Sequence, residues 1–295
     1  MEKILVPIDF SPASHNAAKY AVSLARVFNA HITLLYVNEP PLIMDEVSAA
    51  SLFISNAERM AGYEAEMDRE IKRLSACPLC EPLHEFGSNG HGIQHLPRVR
   101  AIKIEGLVRE GFASDIIAET ARETNAEVIV MGIKGKGKSY SVFGSTTTIT
   151  MRKTSTPVLV VPANAVYRPI HQIALAADFG SGTQMNRYTL LQEVAEKYNS
   201  YIEVLSVQKR ELAAASQEVI GKMKTSLAFS KFHRNFHTIR NNNIVEGINK
   251  FIEKNSSDIL AMVARRHTLL GKVSTSVYTR FMSHETKIPL LVLQH

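Results

Sequence analysis

The chain contains no tryptophan and only two cysteines among 295 residues, and aromatic residues make up only 7%. Two cysteines cannot build a disulfide framework, so a small secreted stapled scaffold is excluded. No apolar run approaches the ~18 residues a membrane helix needs. The longest runs, such as 128–131 and 158–161, are the length of strands. The opening residues, Met-Glu-Lys-Ile-Leu-Val-Pro-Ile-Asp, lack the shape of a signal peptide, because Pro7 and Asp9 interrupt the apolar run at once. These absences predict a cytoplasmic protein with no membrane partner. No basic helix is interleaved with aromatics, so nucleic acid is not the expected main partner.

Apolar residues make up 45% and charged residues 21%, which is globular composition. The 34 basic and 28 acidic side chains give a net charge of +6, which favours anionic ligands. The length, set against ~150 residues per domain, suggests two domains.

Internal similarity supports that division. Residues 3–10 (KILVPIDF) match 172–179 (QIALAADF), and 24–37 (LARVFNAHITLLYV) match 194–207 (VAEKYNSYIEVLSV). Residues 126–131 (AEVIVM) then match 257–262 (SDILAM), and 156–161 (TPVLVV) match 288–293 (IPLLVL). Matches in the same order describe a tandem duplication, with domains at 1–163 and 170–295 and a seam near 164–169. In the first copy the pattern predicts strands at 3–9, 31–37, 99–106, 127–132 and 157–162, and helices at 12–28, 44–75, 112–124 and 144–152. Alternating strands and helices predict an α/β fold of two doubly wound, Rossmann-like domains, each a five-stranded mainly parallel sheet with helices on both faces. The strands 157–161 and 289–293 have the character of exposed edges.

Ligands in such folds bind beyond the carboxyl ends of the strands, where strand order reverses. The sequence marks two such ends: Pro7-Ile8-Asp9, and Met131-Gly132 before a glycine-rich loop. Residues 128–146 read VIVMGIKGKGKSYSVFGST. Gly132, Gly135, Gly137 and Gly144 let backbone N–H groups approach an anion. Lys134, Lys136 and Lys138 supply positive charge, and Ser145-Thr146 open a helix whose N-terminus favours phosphate. The loop has two readings. Gly132-x4-Gly137-Lys138-Ser139 fits a Walker A motif, which would make the protein a P-loop-like NTPase. Against this, Tyr140-Ser141-Val142-Phe143-Gly144 is a poor helix start.

The second reading is a resemblance. Val6-Pro7-Ile8-Asp9-Phe10-Ser11, Leu34-Leu35-Tyr36-Val37 and the Pro-Val-Leu-Val-Val-Pro run at 157–162 resemble the universal stress protein family, and the two halves together resemble its tandem members. ATP-binding members carry G-x2-G-x9-G-[ST]; here eight residues, not nine, separate Gly135 from Gly144-Ser145. The resemblance implies that Asp9 and the Val37 region hold adenine. Gly132 and Gly135 would run along the ribose and phosphates, and Gly144, Ser145 and Thr146 would hold phosphate oxygens. It also implies ATP with Mg²⁺ as the ligand, and pairing of the two last strands into an intramolecular pseudo-dimer, with homodimerisation open. In the second copy the glycine positions fall on Val263 and Arg266, so that site is expected to be weak or absent.

Residues 77–98 (CPLCEPLHEFGSNGHGIQHLPR) hold both cysteines. Cys77 and Cys80, with His91 and His95 at helical spacing, resemble a two-cysteine, two-histidine Zn²⁺ site, and His84 is an alternative ligand. A redox Cys-x-x-Cys and a plain surface loop are the other readings. The histidines of 231–237 (KFHRNFH) have a spacing that suits a strand. No nucleophile–histidine–acid arrangement and no paired carboxylates stand near the loop, so any ATP hydrolysis is expected to be slow. Three functions are therefore open: an ATP-binding stress-response regulator with one nucleotide site in the first copy, a zinc- or redox-responsive scaffold, and a P-loop-like NTPase.

Overall fold

The computed structural model describes residues 1–39, 46–76, 102–133, 145–177, 185–208, 215–263 and 288–294. The first copy runs β1 (Lys3–Pro7), α1 (Pro12–Phe28), β2 (His31–Asn38), α2 (Glu46–Ser75), β3 (Ile104–Glu110), α3 (Ala113–Glu123), β4 (Val128–Gly132), α4 (Ser145–Lys153) and β5 (Val158–Val161). The second runs β6 (Gln172–Ala176), a 3-10 turn (Met185–Tyr188), α5 (Thr189–Tyr198), β7 (Tyr201–Gln208), α6 (Ala215–Ala228), β8 (Arg234–Arg240), α7 (Ile244–Asn255), β9 (Ile259–Val263) and β10 (Leu290–Leu293). These elements form the two doubly wound α/β units that the alternating pattern predicts.

All ten strands lie in one sheet, in the order β3-β2-β1-β4-β5-β10-β9-β6-β7-β8. Every neighbouring pair is parallel except β5 and β10, which run antiparallel with Leu290 opposite Val160 and Val292 opposite Val158. The two last strands of the copies thus join their sheets edge to edge. Strands buried on both faces are nearly continuous apolar runs, and period-two alternation divides each run between two cores. Ile4, Val6, Ile32, Leu34, Val128 and Val130 face α1 and α2, and Ile173 and Leu175 extend that core towards α5. Leu5, Leu35, Ile129 and Met131 meet α3 and α4 on the opposite face, and Ala174 and Leu260 meet α7 there.

The duplication reappears in the backbone. Both first helices end on a left-handed asparagine, Asn29 and Asn199. The N–H of Glu127 donates to the Lys3 carbonyl, and that of Asp258 to the Gln172 carbonyl. The side chains of these two acids also match in task. Glu127 Oε2 accepts from the N–H groups of Glu2 and Lys3, and Asp258 Oδ2 accepts from those of His171 and Gln172 at 2.9 and 2.8 Å. Each carboxylate satisfies backbone donors at the start of the first strand of its copy.

Strand β3 departs from the sequence expectation. It spans Ile104–Glu110, not 99–106, and pairs with β2 from Ile32 opposite Ile104 to Asn38 opposite Glu110. Gly106 lies inside the strand and does not end it. A Cβ there would stand 2.4 Å from Met67 Cγ of α2, so this glycine makes room for a methionine crossing the sheet.

The seam is ordered by contacts. Asn16 of α1 donates to the carbonyls of Pro162 and Ala165, both at 2.9 Å. Tyr167 is buried edge-on against Tyr20 of α1, and its hydroxyl meets that of Tyr198 of α5 at 2.5 Å. The Met1 amino group reaches across to Glu193 of α5 at 2.5 Å.

Candidate functional site

The chain leaves β1 towards β2 and β3 on one side and returns to β4 and β5 on the other, so the strand order reverses between β1 and β4. The carboxyl ends of these two strands therefore border a crevice. Pro7 closes β1, and Ile8 continues it with its N–H donating to the Leu35 carbonyl at 2.8 Å.

Asp9 and the residues after it form a compact turn into α1. Ser11 is the N-cap of that helix, and Ser14 answers it in a capping box. The Ser11 N–H donates to Asp9 Oδ1 at 3.0 Å and to Ser14 Oγ at 3.1 Å. Asp9 thus has a structural task at the helix start. Phe10 turns the chain with a left-handed φ of 56°, a conformation costing a non-glycine residue about 1–2 kcal/mol. Its ring stacks on Tyr36 at 5.1 Å, and Tyr36 in turn lies 4.3 Å from Tyr63 of α2. Burial pushes the Tyr36 phenol well above its ordinary range, and the hydrogen bond with Tyr63 and the nearby carboxylates of Glu66 and Asp9 push the same way.

Val37 and Tyr36, at the end of β2, serve opposite faces of the sheet. Tyr36 borders the α1–α2 core and Val37 the α3–α4 core. Met131 is buried in the latter core, and Gly132 ends β4. A Cβ on Gly132 would lie 2.8 Å from both the carbonyl carbon and oxygen of Ala13, in the first turn of α1. This glycine lets the helix seat directly on the strand end, a packing role additional to the phosphate approach read from the sequence. Helix α4 begins at Ser145 and Thr146, and Thr147 Oγ1 donates to the Gly132 carbonyl at 3.3 Å. That contact fixes the α4 N-terminus over the end of β4. Of the residues read as binding, the structure thus brings together Pro7, Ile8, Asp9, Met131, Gly132, Ser145 and Thr146, with Val37 one strand away. Lys134, Gly135 and Gly144 lie outside the described residues, as do Cys77, Cys80, His91 and His95 of the expected metal site.

The switch-point geometry agrees with the comparisons. Residues 1–162 match the universal stress protein family. The chain belongs to that family. A universal stress protein of Methanocaldococcus jannaschii is 28% identical over 162 residues, covering 54% of this chain and 81% of the relative. One of Mycobacterium bovis is 26% identical over 184 residues, covering 61% of this chain and 54% of the relative, so the match spans about half that protein's length. Among solved structures, a universal stress protein of Archaeoglobus fulgidus is similar over 99% of this chain and 98% of its own, with a TM-score of 0.67 at 17% identity. A putative universal stress protein of Pseudomonas aeruginosa has a TM-score of 0.59 at 14% identity, covering 100% of this chain and 93% of its own. At these identities the structural likeness establishes the fold.

Within this universal stress protein the two copies differ at the strand end. Gly132 pairs with Val161 at the end of β5, and the equivalent pair in the second copy is Val263 with Leu293. The register therefore places valine where the first copy has the glycine seated under α1. The second copy enters its first helix by the 3-10 turn Met185–Tyr188, and α5 itself begins at Thr189. Elsewhere, His237 lies on β8 and His233 just before it: His233 stacks on Tyr201, and His237 Nε2 meets Glu203 Oε2 at 2.5 Å. Among the described residues no helix is long and apolar enough to cross a membrane, and no group of three or more His, Cys, Asp or Glu could hold a metal ion.

Sequence reasoning missed the Tyr36–Tyr63 contact and the Ala13 contact behind Gly132. Neither leaves a motif, because both depend on how helices cross the sheet.

Proposed function

We propose that the protein is an ATP-binding stress-response regulator with one nucleotide site, at the carboxyl ends of β1, β2 and β4 in the first copy. The observation that carries this reading is the convergence of Asp9, Gly132 and the start of α4 at the point where strand order reverses, pinned by the Thr147–Gly132 hydrogen bond. Asp9 would accept from the adenine amino group beside Val37. Gly132, Gly135 and Gly144 would follow the ribose and phosphates. Ser145 and Thr146 would present hydroxyls and helix N–H groups to phosphate oxygens, with Lys134 adding charge and Mg²⁺ accompanying the triphosphate. Val263 at the equivalent of Gly132 supports a second copy that binds weakly or not at all. Nucleotide occupancy would then bias conformation or partner choice, with at most slow hydrolysis.

The test is to purify the chain without added ligand or chelator, denature it and quantify released nucleotide, then titrate ATP·Mg²⁺ by calorimetry. About one adenine nucleotide per chain is expected. Two per chain refutes the asymmetry, and none, with no heat on titration, refutes the reading. Lys138→Ala should weaken binding only; loss of a measurable turnover in that variant would favour the P-loop-like NTPase. A second proposal stands on the Cys77, Cys80, His91 and His95 spacing: the 77–98 segment holds Zn²⁺ independently of nucleotide.

A further inference from the structure

Phe112 is the most exposed aromatic side chain among the described residues that remain large and apolar at the surface, at 70% exposure. Its position is unusual for two reasons. It is the N-cap of α3, with extended backbone (φ −75°, ψ 119°) and no side-chain cap bond, where serine, threonine, aspartate or asparagine would serve the helix better. It also stands just past the carboxyl end of β3, with only Gly111 between. The register β2–β3 puts Val37 opposite Arg109 and Asn38 opposite Glu110, and the Gly111 N–H donates to the Asn38 carbonyl at 3.0 Å. Phe112 therefore emerges one strand, about 4.8 Å, beyond the end of β2, at the same end of the sheet as Asp9 and Gly132. The missing cap is supplied from that side too, because the Ala113 N–H donates to Glu39 Oε1 at 3.4 Å.

Neither the helix nor the core uses the ring. Ile117 and Ala121 of α3 carry its packing, and the Phe112 side chain belongs to neither core. A planar hydrophobic ring kept at a strand-end rim suits a flat π ligand, since base–aromatic stacking needs only two accessible faces. We infer that Phe112 is a purine-contacting residue of the nucleotide site, closing over the adenine from the β3 side while Asp9 reads its edge. The inference rests on the proposed ATP site and adds a residue to it. It makes the site selective for a base-bearing ligand over a bare polyphosphate.

The chain's lack of tryptophan provides the assay. Phe112→Trp introduces the single indole of the protein, and its emission should change saturably with ATP·Mg²⁺. The same ATP concentrations should saturate calorimetric binding. Phe112→Ala should lower ATP affinity on the order of tenfold and leave the affinity for inorganic tripolyphosphate unchanged. At 70% exposure the truncation should not alter the thermal midpoint, which controls for folding. If wild type binds ATP and Phe112→Ala binds it equally well, the inference fails and the site stands. If tripolyphosphate and ATP weaken together, Phe112 shapes α3 and does not contact the base. If wild type binds no ATP, the site reading fails and this inference fails with it.

Discussion

Gly132 carries two explanations that a single substitution separates. Adding a Cβ there forces it to 2.8 Å from the Ala13 backbone and 3.1 Å from Ala13 Cβ. The obstacle is main chain in the first turn of α1, which cannot rotate away as a side-chain tip could. Gly132 lies in regular strand paired with Val161, so alanine brings no dihedral strain of its own. Overpacking of this kind costs about 1–3 kcal/mol, offset by about 0.4–1 kcal/mol because alanine reduces the freedom of the unfolded chain. A net loss of about 1–2 kcal/mol is expected for Gly132→Ala. At about 2–4 °C per kcal/mol for a domain of this size, the thermal midpoint should fall by roughly 2–8 °C, with a matching drop in the urea midpoint. ATP affinity, measured at a temperature where the variant is fully folded, should fall as well, because α1 and Asp9 must shift together. An unchanged midpoint would refute the packing argument. Unchanged stability with lost ATP binding would leave close phosphate approach as the sole reason for the glycine. Val263→Gly is the reciprocal control: it removes a partly buried side chain beside the α5 side of the core and should destabilise without creating ATP binding.

The seam tyrosines predict an alkaline limit. Burial holds Tyr20 and Tyr198 far above the ordinary phenol range and pushes Tyr167 up to about 12, with the Tyr198 hydroxyl acting the other way on Tyr167. The folded chain keeps these groups neutral while the unfolded chain ionises near pH ~10. The stabilisation is thus fully present below about pH 10 and is lost as pH rises through about 12, by about 1.4 kcal/mol per pH unit for each phenol ionised only in the unfolded state. Thermal midpoints from pH 8 to 11.5 should fall steeply above 10, and Tyr167→Phe should flatten that limb; a flat wild-type profile contradicts the burial. Asp9→Ala should cost about 1 kcal/mol by freeing the Ser11 N–H from its carboxylate, whereas Asp9→Asn should keep stability and lower ATP affinity about tenfold by removing the charge. Wild-type ATP affinity in both variants would remove Asp9 from the site. Protein prepared without chelator should carry about one zinc per chain by mass spectrometry, lost in Cys77→Ser/Cys80→Ser; a metal-free wild type with two titratable thiols would end the zinc proposal.

Much of the architecture was legible because the duplication made the sequence its own alignment. Strand β1 and the Asp9 turn, β4 with its terminal glycine, and the Pro157 and Pro289 starts of the last strands all carry local signals that tertiary packing respects. Strand β3 was misplaced because glycine ordinarily weakens a strand, and nothing local to Gly106 announces a methionine from a helix some 40 positions earlier. The candidate site was legible in placement where backbone chemistry dictates residue type: Asp9, Gly132, Ser145 and Thr146 lie at the strand ends and helix start where the pattern puts them. It was opaque where long-range packing does, as with Ala13 under Gly132 and Tyr63 on Tyr36. Glu127 and Asp258, which perform one task in both copies, carry no motif at all. Their role exists only once β4 and β9 lie beside the first strands of their units.

The antiparallel β5–β10 pairing also frees the molecule from a rule that binds symmetric assemblies. When two identical subunits meet, every substitution occurs on both sides of the axis, and a change that suits one binding site is imposed on the other. Covalent tethering fixes the partner's local concentration, so the junction does not dissolve on dilution, and each half can change alone. Val263, at the position equivalent to Gly132, is such a one-sided change: under the proposed reading, one half would specialise in ligand while the other serves as a permanent structural mate.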